Sequence, residues 1–359
     1  MKMSGRGKPV KRSASRRFAA FTYLFLCAVL AGCGAGADSM KHDVIFDTDA
    51  NNEVDDQHAL AYTLFSGDAF NVVGVTVNAT SGPGGSREPS HVREHYDEAK
   101  RVMRLCGELD GKIPLLTGAD GSFDSIREHI DSDTFDGSEA VDFIIEEAMR
   151  ERGSPLVVIA VGKLTNVALA LKKAPEIADR LRVVWLGSNY PARGEHNLWW
   201  DIPAMNYVLD TEVPFDLVVV RWNEPSGTHA VRVTLSQIAH RMPGLGPRIS
   251  EPVEGRHGGY FDNWGDYSAE LFERYGGYRE PPSRALFDVA AVAIVKNPAW
   301  ADSREIPAPT YVRSNDEWEW VERPDNSRQI TLWEWFDIYG IMYDFFRTME
   351  NPVLADPSK

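Results

Sequence analysis

The chain has 359 residues, 43% hydrophobic and 25% charged, which supplies apolar material for a large buried core. Its formal net charge of −15 disfavours nucleic acid as a partner, because phosphate backbones need Lys and Arg to displace counterions. With only three cysteines, Cys27, Cys33 and Cys106, stability must come from that core and not from a disulfide framework.

The amino-terminal segment differs from the rest. "MKMSGRGKPVKRSASRR" carries seven basic residues and no acid, and "FAAFTYLFLCAVLAG" is a short apolar run. A basic head, an apolar stretch too short to span comfortably and small residues at the end read as a secretory signal over residues 1–33. "LAGC", Leu30 to Cys33, resembles a bacterial lipobox. That resemblance implies cleavage before Cys33 and lipid on its sulfur, so the exported protein would meet a membrane of the bacterial cell envelope only through the lipid. A plain signal peptide cut near "AGA" and an uncleaved anchor are the alternatives; Arg16 and Arg17 hint at twin-arginine export, but the residues after them fit poorly. Loss of the leader leaves 38 − 7 = 31 basic residues against 53 acids, a balance of −22 that suits solubility and metal cations. Cys106, in the helical pattern "YDEAKRVMRLCGEL", is then a lone, small apolar residue. Residues 34–41 read as a tether and 42–355 as one large domain.

Along that domain, apolar β-rich runs alternate with helical patterns. The runs are "DVIF", "NVVGVTV", "KIPLL", "PLVVIAV", "LRVVWLG" and "FDLVVVR"; between them lie segments such as "SEAVDFIIEEAMRE", with Val141, Ile144, Ile145 and Ala148 on one face. Continuous apolar strands separated by amphipathic helices predict an α/β fold with a mainly parallel central sheet flanked by helices. In such sheets ligands bind at the carboxyl ends of strands. Directly after "DVIF" comes "DTDANNEVDD", with four aspartates and a glutamate within ten residues.

Three chemistries could gather these acids. An EF-hand loop alternates oxygen ligands, as Asp47, Asp49, Asn51, Glu53 and Asp55 do. Asn52, however, stands where that loop needs Gly, and His58 where it needs a bidentate Glu. A haloacid-dehalogenase-like phosphatase also begins with a strand and Asp-x-Asp, but Asn51 replaces the Thr or Val it needs, and no apolar strand leads into "GDYSAE", where its later acids would be sought. A solvated acidic loop is the plain alternative.

The third is carried by four motifs in order. "DTDANNEVDD" resembles the calcium-binding signature of the inosine/uridine-preferring nucleoside hydrolase family, the calcium-dependent N-ribohydrolases. "VVIAVGKLTNVALALKKAPEI" is similar to its strand, Leu-Thr-Asn turn and helix; "GEHNLWWDIPAMNYVL" to its Glu-x-Asn segment before an Asp-Pro-type helix; and "RALFDVAAVA" to its last aspartate on a helix start. The resemblance runs from Asp43 to Val295. It implies a Rossmann-like domain that hydrolyses the N-glycosidic bond of ribonucleosides or related ribosides, using water held on Ca²⁺, a hard ion that takes six to eight oxygen ligands. Carried over by position, Asp49, Asp56, Asp288 and the backbone carbonyl of Thr165 hold the ion, and Asp49 is also the general base. Asp55, Asn78, Glu195 and Asn197 bind ribose, while Asp47 supports the others. Thr165 and Asn166 could instead merely start a helix, and Asp288 could suit a helix dipole. The partner is a small nucleoside or riboside; self-association into a homo-oligomer stays open.

The chain also departs from that pattern. Five residues, "ANNEV", separate Asp-x-Asp from the aspartate pair where better-known members have three, so Asn51, Asn52 or Glu53 can reach the site. The ribose asparagine is Asn78, with Thr80 as the alternative. Phe287 stands where several members have a histidine that protonates the leaving base, and Phe cannot donate a proton. His196, His257 and Tyr260 are the candidate replacements. Trp199, Trp200, Tyr260, Phe261, Trp264 and Tyr267 either stack on the substrate or pack the core. "RHGGYFDNWGDY" reads as a Gly-rich loop over the site. The competing reading is a lipid-anchored calcium- and ribose-binding protein without turnover.

Overall fold

The computed structural model describes residues 41–52, 54–80, 91–275 and 282–357. The proposed leader with Cys33, tether residues 34–40 and Glu53 lie outside the described residues. Among the described residues no helix is long and apolar enough to cross a membrane.

Eight strands form the central sheet: β1 (His42–Thr48), β2 (Phe70–Val77), β3 (Leu115–Thr117), β4 (Leu156–Ala160), β5 (Leu181–Leu186), β6 (Phe215–Val218), β7 (Asp302–Pro307) and β8 (Gln329–Glu334). They run in the order β7-β8-β6-β5-β4-β1-β2-β3. All neighbours are parallel except β7, which pairs antiparallel with β8 at the edge. The apolar runs of the sequence thus become the six strands from β1 to β6. The parallel sheet is buried on both faces. Val44 and Phe46 of β1 enter one core cluster and Ile45 the other, as a period of two requires.

Helices α1 (Val54–Leu64), α2 (Val92–Leu105), α6 (Trp264–Arg274), α7 (Phe287–Lys296) and α8 (Ile338–Glu350) feed the first cluster. Helices α3 (Ser138–Met149), α4 (Thr165–Lys173) and α5 (Ile202–Leu209) feed the second. The chain winds outward from β1 to β2 and β3, then returns to the other side of β1 with β4, β5 and β6. Its winding therefore reverses between β1 and β4, and a crevice opens beyond their carboxyl ends. Asp49 follows β1, Asn78 follows β2, Thr165 follows β4 and Glu195 follows β5.

One sequence expectation changes here and another holds. "RHGGYFDNWGDY" is not one loop: Val253–Glu254 and Tyr260–Phe261 pair as a short antiparallel ribbon, and Asn263 caps α6. Gly258 and Gly259 make the ribbon's turn at φ +87° and +78°, a region L side chains avoid. "GDYSAE" falls within α6, which removes the strand that a phosphatase of the dehalogenase type would need.

Asp201 locks the ends of several segments together. Its Oδ1 accepts from Ala204 N (3.1 Å) at the start of α5, and its Oδ2 accepts from Phe123 N (2.6 Å) and the Thr165 hydroxyl (2.5 Å). Asp201→Ala removes a helix cap and strands two buried donors, a loss of about 2–3 kcal/mol. Urea denaturation should report it; a loss below about 0.5 kcal/mol would show that these bonds do not fix α4 to α5.

Candidate active site

Two helices deliver the acids. Every residue of α1 is buried, and so are nine residues of α7, from Phe287 to Val295. Both are apolar enough to sit inside the molecule, and they pack against each other. Their amino-terminal turns carry Asp55 and Asp56 on α1 and Asp288 on α7, where the helix dipole favours negative charge. One oxygen from each of these three lies within 4.8 Å of the other two, and all three residues are buried. Asp49 is fully buried beside them. Thr80 donates to its Oδ2, and Oδ1 has no hydrogen-bond partner among the described residues.

Burial is the main force on these carboxyls, and mutual repulsion adds to it. It pushes Asp55 up to about 7 and Asp56 and Asp288 well above the usual carboxylate range, with Asp49 contributing to each shift. A hard divalent cation fits such a donor set. It would supply the charge that three close carboxylates and an unpartnered carboxylate oxygen lack.

Asp47 has a different role. It accepts from Thr76 (2.6 Å), Asn78 (2.9 Å) and Asn166 (2.7 Å), and burial raises it to about 6. Asn166 also bonds Val77 O (3.1 Å) and Ala119 N (2.9 Å), so it staples β1, β2 and the segment after β3. It is not the helix cap; Leu164 holds that position. Gly118 permits this close approach, since a Cβ there would meet Val77 O at 2.1 Å.

A cleft of about 110 Å³ opens above the acids, with Asn52, Asp55, Asp56, Glu195, Asn197 and Asp288 among its walls. Asn197 donates to Val161 O (2.8 Å) and Leu186 O (3.0 Å), at the ends of β4 and β5. That fixes its amide and leaves Oδ1 as an acceptor. Glu195 accepts from the backbone N–H groups of Ser188, Asn197 and Leu198 (2.8–3.1 Å). Its φ of 153° lies in a region L residues rarely adopt.

The residues assigned from the sequence fall partly in the cleft and partly beside it. The tightest group of acids is Asp55, Asp56 and Asp288, with Asp49 adjacent; adjacency at the start of α1 forces Asp55 into it. Asn78 does not line the cleft: its Nδ2 donates to Asp47 and its buried Oδ1 has no hydrogen-bond partner among the described residues, while Thr80 touches Asp49. Thr165 is buried at the start of α4, with its hydroxyl given to Asp201. Of the three proposed proton donors only His196 lines the cleft. His257 faces Glu270 at 3.1 Å, and Tyr260 is 73% exposed on the ribbon. Trp264 and Tyr267 are core residues, and the cleft's aromatic walls are Trp222 and Phe287, 5.1 Å apart.

Sequence reasoning also missed two braces. Arg284, itself buried, ion-pairs with Asp55 (2.9 Å) and lies 5.1 Å from the Phe287 ring; burial lowers it to about 10. His95 Nδ1 accepts from Asn51 N (3.1 Å), which pins the lengthened acidic loop. Arg284 opens "RALFDVAAVA" but carries no role of its own in that resemblance, and His95 lies outside the four motifs.

The sequence matches the family model of the inosine-uridine preferring nucleoside hydrolases over residues 44–334. The chain belongs to that family. It is 25% identical over 173 residues to the inosine-uridine preferring nucleoside hydrolase of Crithidia fasciculata, covering 48% of this chain and 51% of that protein. It is 26% identical over 201 residues to the pyrimidine-specific ribonucleoside hydrolase RihA of Shewanella woodyi, covering 50% of this chain and 60% of the relative. The matched stretch thus spans about half the length of these curated relatives. In fold it is similar to a plant nucleoside hydrolase, at TM-score 0.66 and 17% identity over 87% of this chain and all of that one. A purine-preferring ribonucleoside hydrolase from Gardnerella vaginalis gives TM-score 0.64 and 18% identity over 88% and all of the respective chains.

The raised carboxyls set the pH response of the metal-free protein. Their folded-state pKa values exceed the unfolded ones, so the folded state binds more protons and stability falls as pH rises toward about 7. Stripped of metal, the protein should melt at progressively lower temperature from pH 5 to pH 8. A divalent cation taken up by these acids should restore stability, most at the high end. A pH-independent melting temperature without metal would contradict the burial of these groups.

Proposed function

We propose that this chain is an exported, calcium-dependent hydrolase of the N-glycosidic bond of ribonucleosides or related ribosides. One observation carries the reading: the Asp55, Asp56 and Asp288 trio meets Glu195 and Asn197 in one cleft where the sheet's winding reverses, with Asp49 buried close enough to raise all three carboxyls. Asp49, Asp56 and Asp288, with Asp55 now drawn into the group, would hold Ca²⁺. When bound, the ion supplies positive charge and oxygen-seeking coordination for the sugar hydroxyls.

The side chains do the rest. Asp49 takes the proton of the attacking water as that water bonds to the anomeric carbon. Glu195 and Asn197, fixed by backbone hydrogen bonds, accept from sugar hydroxyls and hold the ribose in line. Asp47 acts through its neighbours by holding β1, β2 and Asn166 in register. Export and anchoring through lipid on Cys33 are supported by the basic head, the apolar run and "LAGC". The domain then begins near residue 42, where β1 starts.

Phe287 favours a second reading, a calcium- and ribose-binding protein without turnover, because the residue before Asp288 cannot protonate a leaving base. Incubation of the purified domain with a panel of nucleosides, with and without chelator, separates the two. Hydrolysis abolished by chelator and restored by calcium is expected. Asp49→Ala should lower kcat at least about 100-fold, and Asn197→Ala less. Ribose binding without hydrolysis of any riboside would establish the second reading, and equal small losses in both variants would move the site elsewhere.

A further inference from the structure

Resting on the hydrolase reading, we infer that Tyr311 is a positioning residue for sugar recognition. The hairpin that carries it clasps the Glu195–Asn197 segment from both flanks and sets where those two acceptors stand. It pairs Thr310–Ser314 with Glu317–Val321 and lies beyond the four motifs of the resemblance. Asn315 and Asp316 make its two-residue turn at φ of +49° and +65°. Such a turn matches the twist of paired strands, and Asn and Asp tolerate its left-handed backbone. The turn fixes the register and places Tyr311 opposite Trp320. The buried Tyr311 ring has its centroid 4.8 Å from that of Trp320 and stacks on Trp318 at 5.7 Å.

From this fixed ring the clasp reaches both ways. Tyr311 Oη accepts from Gly194 N (3.0 Å), the residue before Glu195. On the other flank, Asn206 of α5 accepts from Tyr311 N (2.9 Å) and donates to Tyr311 O (2.8 Å). The Tyr190 hydroxyl adds a bond to Glu322 (2.6 Å), just past the hairpin. Residues 194 and 206 bracket Glu195 and Asn197, so the chain between them is anchored at both ends to one residue.

That anchoring answers a local strain. Ser188 has φ of +72° and Glu195 of +153°, and non-glycine residues persist there only where the surroundings impose it. The Glu195 carboxylate accepts from Ser188, Asn197 and Leu198 N–H groups. A shift at Gly194 therefore moves the carboxylate and the start of the helix His196–Trp200 together. Tyr311 is not among the residues lining the cleft, so it acts through these acceptors. None of the bonds involves the acids of α1 and α7. The clasp thus sets sugar affinity apart from metal affinity.

Tyr311→Phe keeps the ring and removes the acceptor. In the calcium-loaded protein it should raise KM for inosine or uridine about tenfold while kcat changes less than about threefold, since displaced sugar acceptors cost binding geometry. Calorimetry should show ribose binding weakened by a similar factor, with the calcium dissociation constant unchanged. Asn206→Leu, which opens the clasp on its other flank, should give the same pattern. Unchanged KM and ribose affinity in both variants would overturn the inference. So would equal losses of ribose and calcium affinity, the mark of general loosening. A wild type that binds ribose but hydrolyses neither nucleoside ends the hydrolase reading, and the ribose titration still decides the role of Tyr311. A wild type that does neither sinks both.

Discussion

Like charges confined in a small buried volume govern this molecule. Three carboxylates within 4.8 Å of one another repel by roughly 3–4 kcal/mol per pair even at an effective dielectric near 20. The amino-terminal dipoles of α1 and α7 return typically about 0.3–1 kcal/mol each, too little to hold all three ionised. The Arg284 ion pair compensates one charge. What remains must be met by protons or by a cation, and the raised pKa values of Asp55, Asp56 and Asp288 are the protonated answer. A divalent ion is the other answer. The same arrangement that makes the metal-free site costly makes it a strong oxygen cage.

The surrounding fold keeps that arrangement rigid. A parallel sheet buried on both faces fixes where its strands end, and every group in or beneath the cleft is attached to such an end or to a buried helix. Asp47 joins β1 to β2 and α4 through three side-chain hydrogen bonds. Asn197 closes the gap between β4 and β5. Binding groups are thereby separated from the groups that position them, which lets the former carry unsatisfied charge without loosening the sheet.

Much of this was legible before the fold was known, for reasons that differ by residue. Asp49, Asp55 and Asp56 stand out because acids follow an apolar strand and precede an apolar helix, so the backbone must bring them together. Asp288, Glu195 and Asn197 carry no such local signal and were reached through motif resemblance. Arg284, His95 and Trp222 escaped altogether, since each acts through a partner distant in sequence. Strands β7 and β8 were missed because β7 is mostly exposed and polar, which erases the apolar run. For Trp264 and Tyr267 both substrate stacking and core packing stood open, and the core reading holds: Trp264, Tyr267, Ser268, Leu271 and Phe272 follow the helical spacing of a buried face.

Whether the acids are gathered for a metal is the claim on which the rest depends. Calorimetric titration of calcium into metal-free protein tests it most directly, comparing the wild type with Asp56→Asn and Asp288→Asn. One ion per chain in the wild type, with affinity lost in both variants, is the result this account predicts. No binding, or binding unchanged by either substitution, would contradict it.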